Sequence, residues 1–204
     1  MTSQAERRTA TVAAIVTAAG ELFTARGFDA TSIDDIADRA YVAKGAVYHH
    51  FKSKEQIFAR VFEQMTAALA TEVVAAAAAG TSIVDRFERG TLKYLTAIAG
   101  DKFRQVLLTD GPAVLGWVTW REIDARYFGG VMQAPRDRKR QAPRAERELE
   151  AMGHLVAGAV SEAALVCATS AHRARAARDF TSALVKMLGP LFETPTDPTR
   201  RSNQ

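Results

Sequence analysis

A chain of 204 residues with 48% apolar and 25% charged residues has the composition of one large or two small globular domains, which excludes wholesale disorder. The single cysteine, Cys167, excludes an internal disulfide framework and a paired-cysteine metal motif. The formal net charge of +4 is matched by residues 136–147 alone, where six Lys/Arg accompany Asp137 and Glu146; the rest sums to zero, so global charge identifies no polyanionic partner.

Abundant alanine and short β-branched runs favour helices over sheet. No stretch reaches the ~18 uninterrupted apolar residues of a membrane span, so no membrane partner and a cytoplasmic location are expected. Arg7 and Arg8 before Ala10–Gly20 resemble a signal peptide, but helical periodicity runs on into Glu21-Leu22-Phe23.

In chain order, Val12, Ile15, Val16, Ala19, Leu22 and Phe23 form one stripe of a helix over about 6–26, stopped by Gly27. Ser32 with Asp35 three residues on reads as a capping box opening a short helix 2 with Ile33, Ile36, Ala37 and Ala40 on one face. A break at 41–43 leads to helix 3, about 44–50. Ser53 with Gln56 reads as a second capping box, opening a helix that reaches residue 79. Further helices are expected at 82–99, 102–109 and 112–133, the last kinked near Gly116. Residues 134–144 read as an exposed loop, helices 8 and 9 as 145–170 and 173–193, and the segment after Pro195 as a frayed tail.

Three helices in the first 50 residues, the second and third short and tightly joined, describe a helix-turn-helix. Ala37, Val42 and Val47, at steps of five, supply its small crossing residue, its apolar turn residue and its anchor. Tyr41 stands where such a turn favours glycine; left-handed backbone there would strain a tyrosine by roughly 1–2 kcal/mol. From Arg39 to Lys54 there is no acid, while Arg39, Lys44, Lys52 and Lys54 interleave with Tyr48, His49 and His50. An acid-free basic face suits phosphate contact, and the amide ends opened by Ser32 and Ser53 add anion seats.

The run Ala43-Lys44-Gly45-Ala46-Val47-Tyr48-His49-His50-Phe51-Lys52-Ser53-Lys54-Glu55 resembles the recognition-helix signature of the tetracycline-repressor-like (TetR) transcriptional regulators. Thr31–Ala37 resembles that family's helix 2, and Asp110–Trp117 with Trp120–Asp124 resembles, more weakly, a stretch of its C-terminal half. The resemblance implies an all-α chain of about nine helices. Residues 1–52 would form the DNA-binding head, and 53–204 a ligand-binding and dimerisation domain. It also implies a homodimer on double-stranded operator DNA, a repressor released by a small-molecule ligand. By the same resemblance Lys44, Gly45, Ala46 and Tyr48 approach bases, and Ser32, Tyr48, His49, His50 and Lys54 touch phosphates. Ala43 replaces a frequent serine; with Ala46 it offers methyl contact to thymine. Helix 3 is poor in bidentate hydrogen-bonders, so specificity is expected to lean on DNA shape.

The alternatives are a ligand-independent regulator or activator, and a helical enzyme carrying this head. The chain has no GxSxG, P-loop or HExxH motif, so no enzyme and no cofactor are expected. His49 and His50 point about 100° apart on a helix and cannot easily clamp one ion, so no metal is expected. Tyr94, Phe103, Trp117, Trp120, Phe128, Met132 and His154 are the ligand-pocket candidates, although such residues on helices are more often plain core. Small residues of helix 8 (Gly153, Ala157, Gly158, Ala159, Ala163, Ala164) and the stripe Phe180, Leu184, Met187, Leu188, Leu191 of helix 9 suit a four-helix dimer interface. The basic run at 136–147 reads as a solvated connector rather than a second DNA anchor.

Overall fold

The structure is a computed structural model describing residues 3–132 and 143–192, with side chains at 3–128, 148 and 151–189. Residues 134–142 of the expected connector, most of the basic run and the tail after Pro195 lie outside the described residues, while Pro143 and Arg144, expected in that connector, belong instead to the helix that begins at Pro143. The described residues are all-α: α1 Gln4–Arg26, α2 Ile33–Arg39, α3 Lys44–His50, α4 Lys54–Ala78, α5 Ile83–Ile98, a single turn α6 Asp101–Phe103, α7 Gly111–Met132, α8 Pro143–Thr169 and α9 Arg173–Phe192. A π-helical stretch, Arg104–Asp110, joins α6 to α7.

Local chemistry sets the boundaries. Ser3 and Glu6 close a reciprocal capping box on α1, and Ser32 and Asp35 do the same on α2. On α4 only half of the expected box forms. Ser53 accepts the Gln56 N–H, but the Gln56 side chain reaches one residue further back, accepting the Lys52 N–H at 2.9 Å. Gly116 has φ 74°, which breaks α7 after its first turn as expected.

The first three helices close over Ile15, Ala19, Phe23, Ile36, Ala37 and Val47, all buried. Their core runs without interruption into α4: the Phe58 ring lies 5.3 Å from that of Phe23 and 5.2 Å from that of Phe28. Phe58 is fully buried, and its truncation to alanine would cost about 3–5 kcal/mol. Helix α4 thus carries the head into the body, where it packs on α5 and α7, while α5 packs on α8 and α9. Gly111 lets α7 approach α4, since a Cβ there would fall 2.5 Å from Phe62 Cε2.

A second head–body contact comes from Asp110, at the end of the π-helical stretch. Its Oδ2 accepts the backbone N–H of Phe28 at 2.8 Å, and its Oδ1 accepts from Gln105 Nε2 at 3.0 Å. Two helices, Lys54–Ala78 and Ala151–Thr169, are long and apolar enough to cross a membrane by length and composition. Neither holds an uninterrupted apolar run of that length, because scattered polar residues break it while the mean hydropathy stays at 1.2 and 1.5. In α4 the apolar face is core. In α8 much of it is bare, with Leu155 73% exposed.

Candidate nucleic-acid interface

The candidate surface is α3 with the turn before it and the N-termini of α2 and α4. Val47 is fully buried and pins α3 to the head, leaving Ala43, Lys44, Gly45, Tyr48 and His49 exposed; Ala46 is half-buried. A Cβ built on Gly45 meets nothing within 4 Å, so the backbone of α3 is bare on that side. Such a surface admits close approach by a groove wall or a base edge.

Lys44 Nζ lies 2.8 Å from Asp34 Oδ1, in an ion pair exposed on both sides. Asp34 hydrogen-bonds the ammonium and pushes its pKa up. Exposed pairs of this kind contribute little, so the ammonium can exchange Asp34 for a phosphate at small cost. Ser32 is occupied: its hydroxyl donates to Asp35 Oδ2 at 2.6 Å and accepts the Asp35 N–H at 3.1 Å. The Ser32 hydroxyl, then the Ser32 N–H donating to the same carboxyl at 2.8 Å, then Arg26 at 2.8 Å hold the Asp35 pKa down to about 2.

Lys54 is largely committed inside the protein. Its Nζ donates to the carbonyls of Phe28 and Thr31 at 2.8 and 2.9 Å and lies 4.0 Å from the Phe28 ring centre. One ammonium proton remains for an external acceptor. Because Thr31 precedes Ser32, the lysine ties the N-terminus of α4 to that of α2.

The rings of His49 and His50 meet edge to face at 5.1 Å. His50 is half-buried, and its Nδ1 has no hydrogen-bond partner. Burial, followed by the nearby charges of His49 and Arg8, lowers its pKa and keeps the ring neutral near pH 7. Arg8 of α1 is therefore a cationic neighbour that the reading of α3 alone did not include. His50 also lines a groove of about 440 Å³ with Arg60 of α4 and Glu122 and Arg126 of α7, so the end of α3 faces the body.

The body candidates separate into three places. Tyr94 and Phe128 meet edge to face at 5.3 Å. Trp120 is buried and donates from Nε1 to the Leu107 carbonyl at 3.4 Å. Burial, with the charge of Asp124, raises the Tyr94 hydroxyl pKa, and burial raises that of Asp124 against the pull of Arg121. Asp124 lies four residues from both Trp120 and Phe128, on the same α7 face, and carries the acid that residue-type reasoning overlooked. Phe103 is buried elsewhere, at a groove of about 520 Å³ between α1 and α4. Trp117 and His154 are exposed, Trp117 with its ring 5.0 Å from that of Trp120. The side chain of Met132 lies outside the described residues.

Two family descriptions match the chain: bacterial regulatory proteins, tetR family, over residues 15–61, and the tetracyclin repressor-like C-terminal domain over residues 84–191. The Transposon Tn10 TetC protein of Escherichia coli is 30% identical over 134 residues, 64% of this chain and 66% of that protein. The HTH-type transcriptional repressor KstR2 of Mycolicibacterium smegmatis is 51% identical over 43 residues, 21% of each chain. The matched stretches thus span less than two thirds of these relatives' lengths. A crystal structure of a TetR-family transcriptional regulator from Pectobacterium atrosepticum superposes with a TM-score of 0.70 at 25% identity, covering 95% of this chain and all of that one. The helical architecture, the bare α3 surface and both matched domains agree: the chain belongs to the TetR family of bacterial regulatory proteins.

Proposed function

We propose that the chain is a dimeric, sequence-specific DNA-binding transcriptional regulator, a repressor released from its operator when a small molecule binds its body. The observation that carries the reading is the α3 surface: Gly45 open, Tyr48 52% exposed, Lys44 held only by an exposed pair, and no acid between Arg39 and Lys54. A recognition helix placed this way contacts base edges with its N-terminal residues, while phosphates set its register. In this reading Ala43, Lys44, Gly45, Ala46 and Tyr48 face bases. Tyr48, His49, His50 and the free proton of Lys54 face phosphates, and Ser32 joins them by turning its hydroxyl proton from Asp35 to a phosphate oxygen. Residues 1–52 form the head and 53–204 the body, and the protein works in the cytoplasm, where the chromosome is.

Ala163, Ala164, Leu184 and Leu188, expected at a dimer interface, are buried in the chain's own core; a dimer through α8 and α9 is supported instead by apolar side chains bare on those helices, Leu155, Leu165 and Val166 on α8 and the expected Met187 on α9. A second copy covers them, and a symmetric pair supplies two reading helices for two half-sites. The ligand is assigned to the buried cluster of Tyr94, Trp120 and Phe128 with Asp124, where apolar rings accompany a few polar atoms. A ligand bound there acts only through different affinities for the two head spacings. Its route to the head is α4 and the Asp110 bond to Phe28, which join the two parts.

The test uses a duplex selected by the chain itself from a random pool. Tyr48→Ala should weaken its binding, read by fluorescence anisotropy, tenfold or more, with the dimer mass unchanged by light scattering. Unchanged affinity would overturn the assignment of α3 as the reading helix.

A further inference from the structure

Among the described residues Tyr41 is the one non-glycine residue with positive φ, at 56°. Its backbone is fixed by turn closure: its own N–H donates to the Asp38 carbonyl at 3.2 Å, and the Val42 N–H donates to the Ala37 carbonyl at 3.0 Å. A glycine would make the same turn without strain. The ring offers no compensation inside the protein, because Tyr41 is 92% exposed. A local rule is therefore broken with no return in the free chain, a pattern that points to function at that position.

The position says what the function is. Tyr41 lies two residues before Ala43, the N-cap of α3, so its Cα is within about 7 Å of the end of the helix that enters the groove. In such a motif the helix before the turn crosses the sugar-phosphate backbone and the helix after it enters the groove, so the turn that joins them lies next to the strand bordering that groove. No acid occurs from Arg39 to Lys54, and Asp34, the acid that packs at the start of α3, is paired with Lys44. We propose that the Tyr41 hydroxyl donates a hydrogen bond to an operator phosphate at the rim of the groove read by α3, making Tyr41 a further DNA-contacting residue. This inference rests on the DNA-binding reading above.

The test compares Tyr41→Phe, Tyr41→Gly and Tyr48→Ala with the unaltered chain on the selected duplex, over a range of salt concentrations, together with their melting temperatures. Tyr41→Phe and Tyr41→Gly should each weaken binding about tenfold. The phenol is neutral and releases no counterion, so the slope of log affinity against log salt should stay that of the unaltered chain. Tyr41→Gly should melt higher while binding more weakly, which a purely structural role for the tyrosine would not give. Unaltered affinity in Tyr41→Phe would overturn the phosphate contact, even if Tyr41→Gly binds weakly. Loss on Tyr48→Ala alone would overturn this proposal and leave the DNA-binding reading standing. Failure of the unaltered chain to select any duplex would overturn both.

Discussion

Replacing Asp110 with alanine removes two hydrogen bonds to one carboxylate, from the Phe28 N–H at 2.8 Å and from Gln105 Nε2 at 3.0 Å. The Phe28 amide is partly buried just beyond Gly27, so it gains little from water in exchange. A hydrogen bond to a charged group contributes about 1.5–3 kcal/mol, and truncation also leaves the amide unpaired. Partial exposure puts the net loss near the lower end, about 2 kcal/mol. For a chain of this size that lowers the melting temperature by roughly 4–8 °C at fixed protomer concentration. Asp110→Asn keeps an acceptor oxygen and should lose about half as much. Scanning calorimetry gives the temperatures, and amide hydrogen exchange gives the local readout. Phe28 should lose protection in Asp110→Ala while Phe23, on the α1 side of the cap, keeps it. A melting temperature within about 1 °C of the unaltered chain, with Phe28 still protected, would refute the idea that Asp110 latches head to body.

Gly45→Ala should stabilise α3 by about 0.5–1 kcal/mol, since the added methyl meets open space and alanine favours helix, while weakening DNA binding; a variant that binds as well as the parent means no groove approaches that backbone. Asp35 titrates near 2 when folded and near 3.8 when free, so the folded state binds fewer protons between those values. Its stabilising contribution is complete above about pH 4 and disappears as pH falls toward 2. Asp35→Asn should therefore flatten the acid limb of stability measured by denaturant titration. Leu155→Glu and Leu165→Glu together should give a folded monomer by sedimentation; a persistent dimer would move the interface off α8.

The local signals were legible because they are local. Ser32 with Asp35, the stop at Gly27 and the kink at Gly116 involve residues within a turn of one another, and the structure has all three. The left-handed turn at Tyr41 was legible for the same reason. The Gln56 box failed in detail because a flexible amide chose between two neighbouring N–H groups, a choice set by the geometry of the Lys52 turn. What escaped reading depends on contacts across the fold. Asp110 meets an amide 82 residues away, and Gly111 is small because Phe62 of another helix occupies the space of its side chain. Lys54 reads as a free surface cation until the α1–α2 loop brings two carbonyls to it. Composition could not separate Phe103 and Trp117 from Tyr94 and Phe128, since all are aromatics on helices; helix packing put them in different places.

In the proposed complex two copies present their α3 surfaces to one side of a duplex. Hydroxyl-radical footprinting of the dimer on its selected operator measures this directly. Two protected patches should appear on one face of the duplex, centred about 34–36 Å apart or a near multiple, both lost with Tyr48→Ala. Patches on opposite faces, a single patch per dimer, or protection that survives Tyr48→Ala would contradict it.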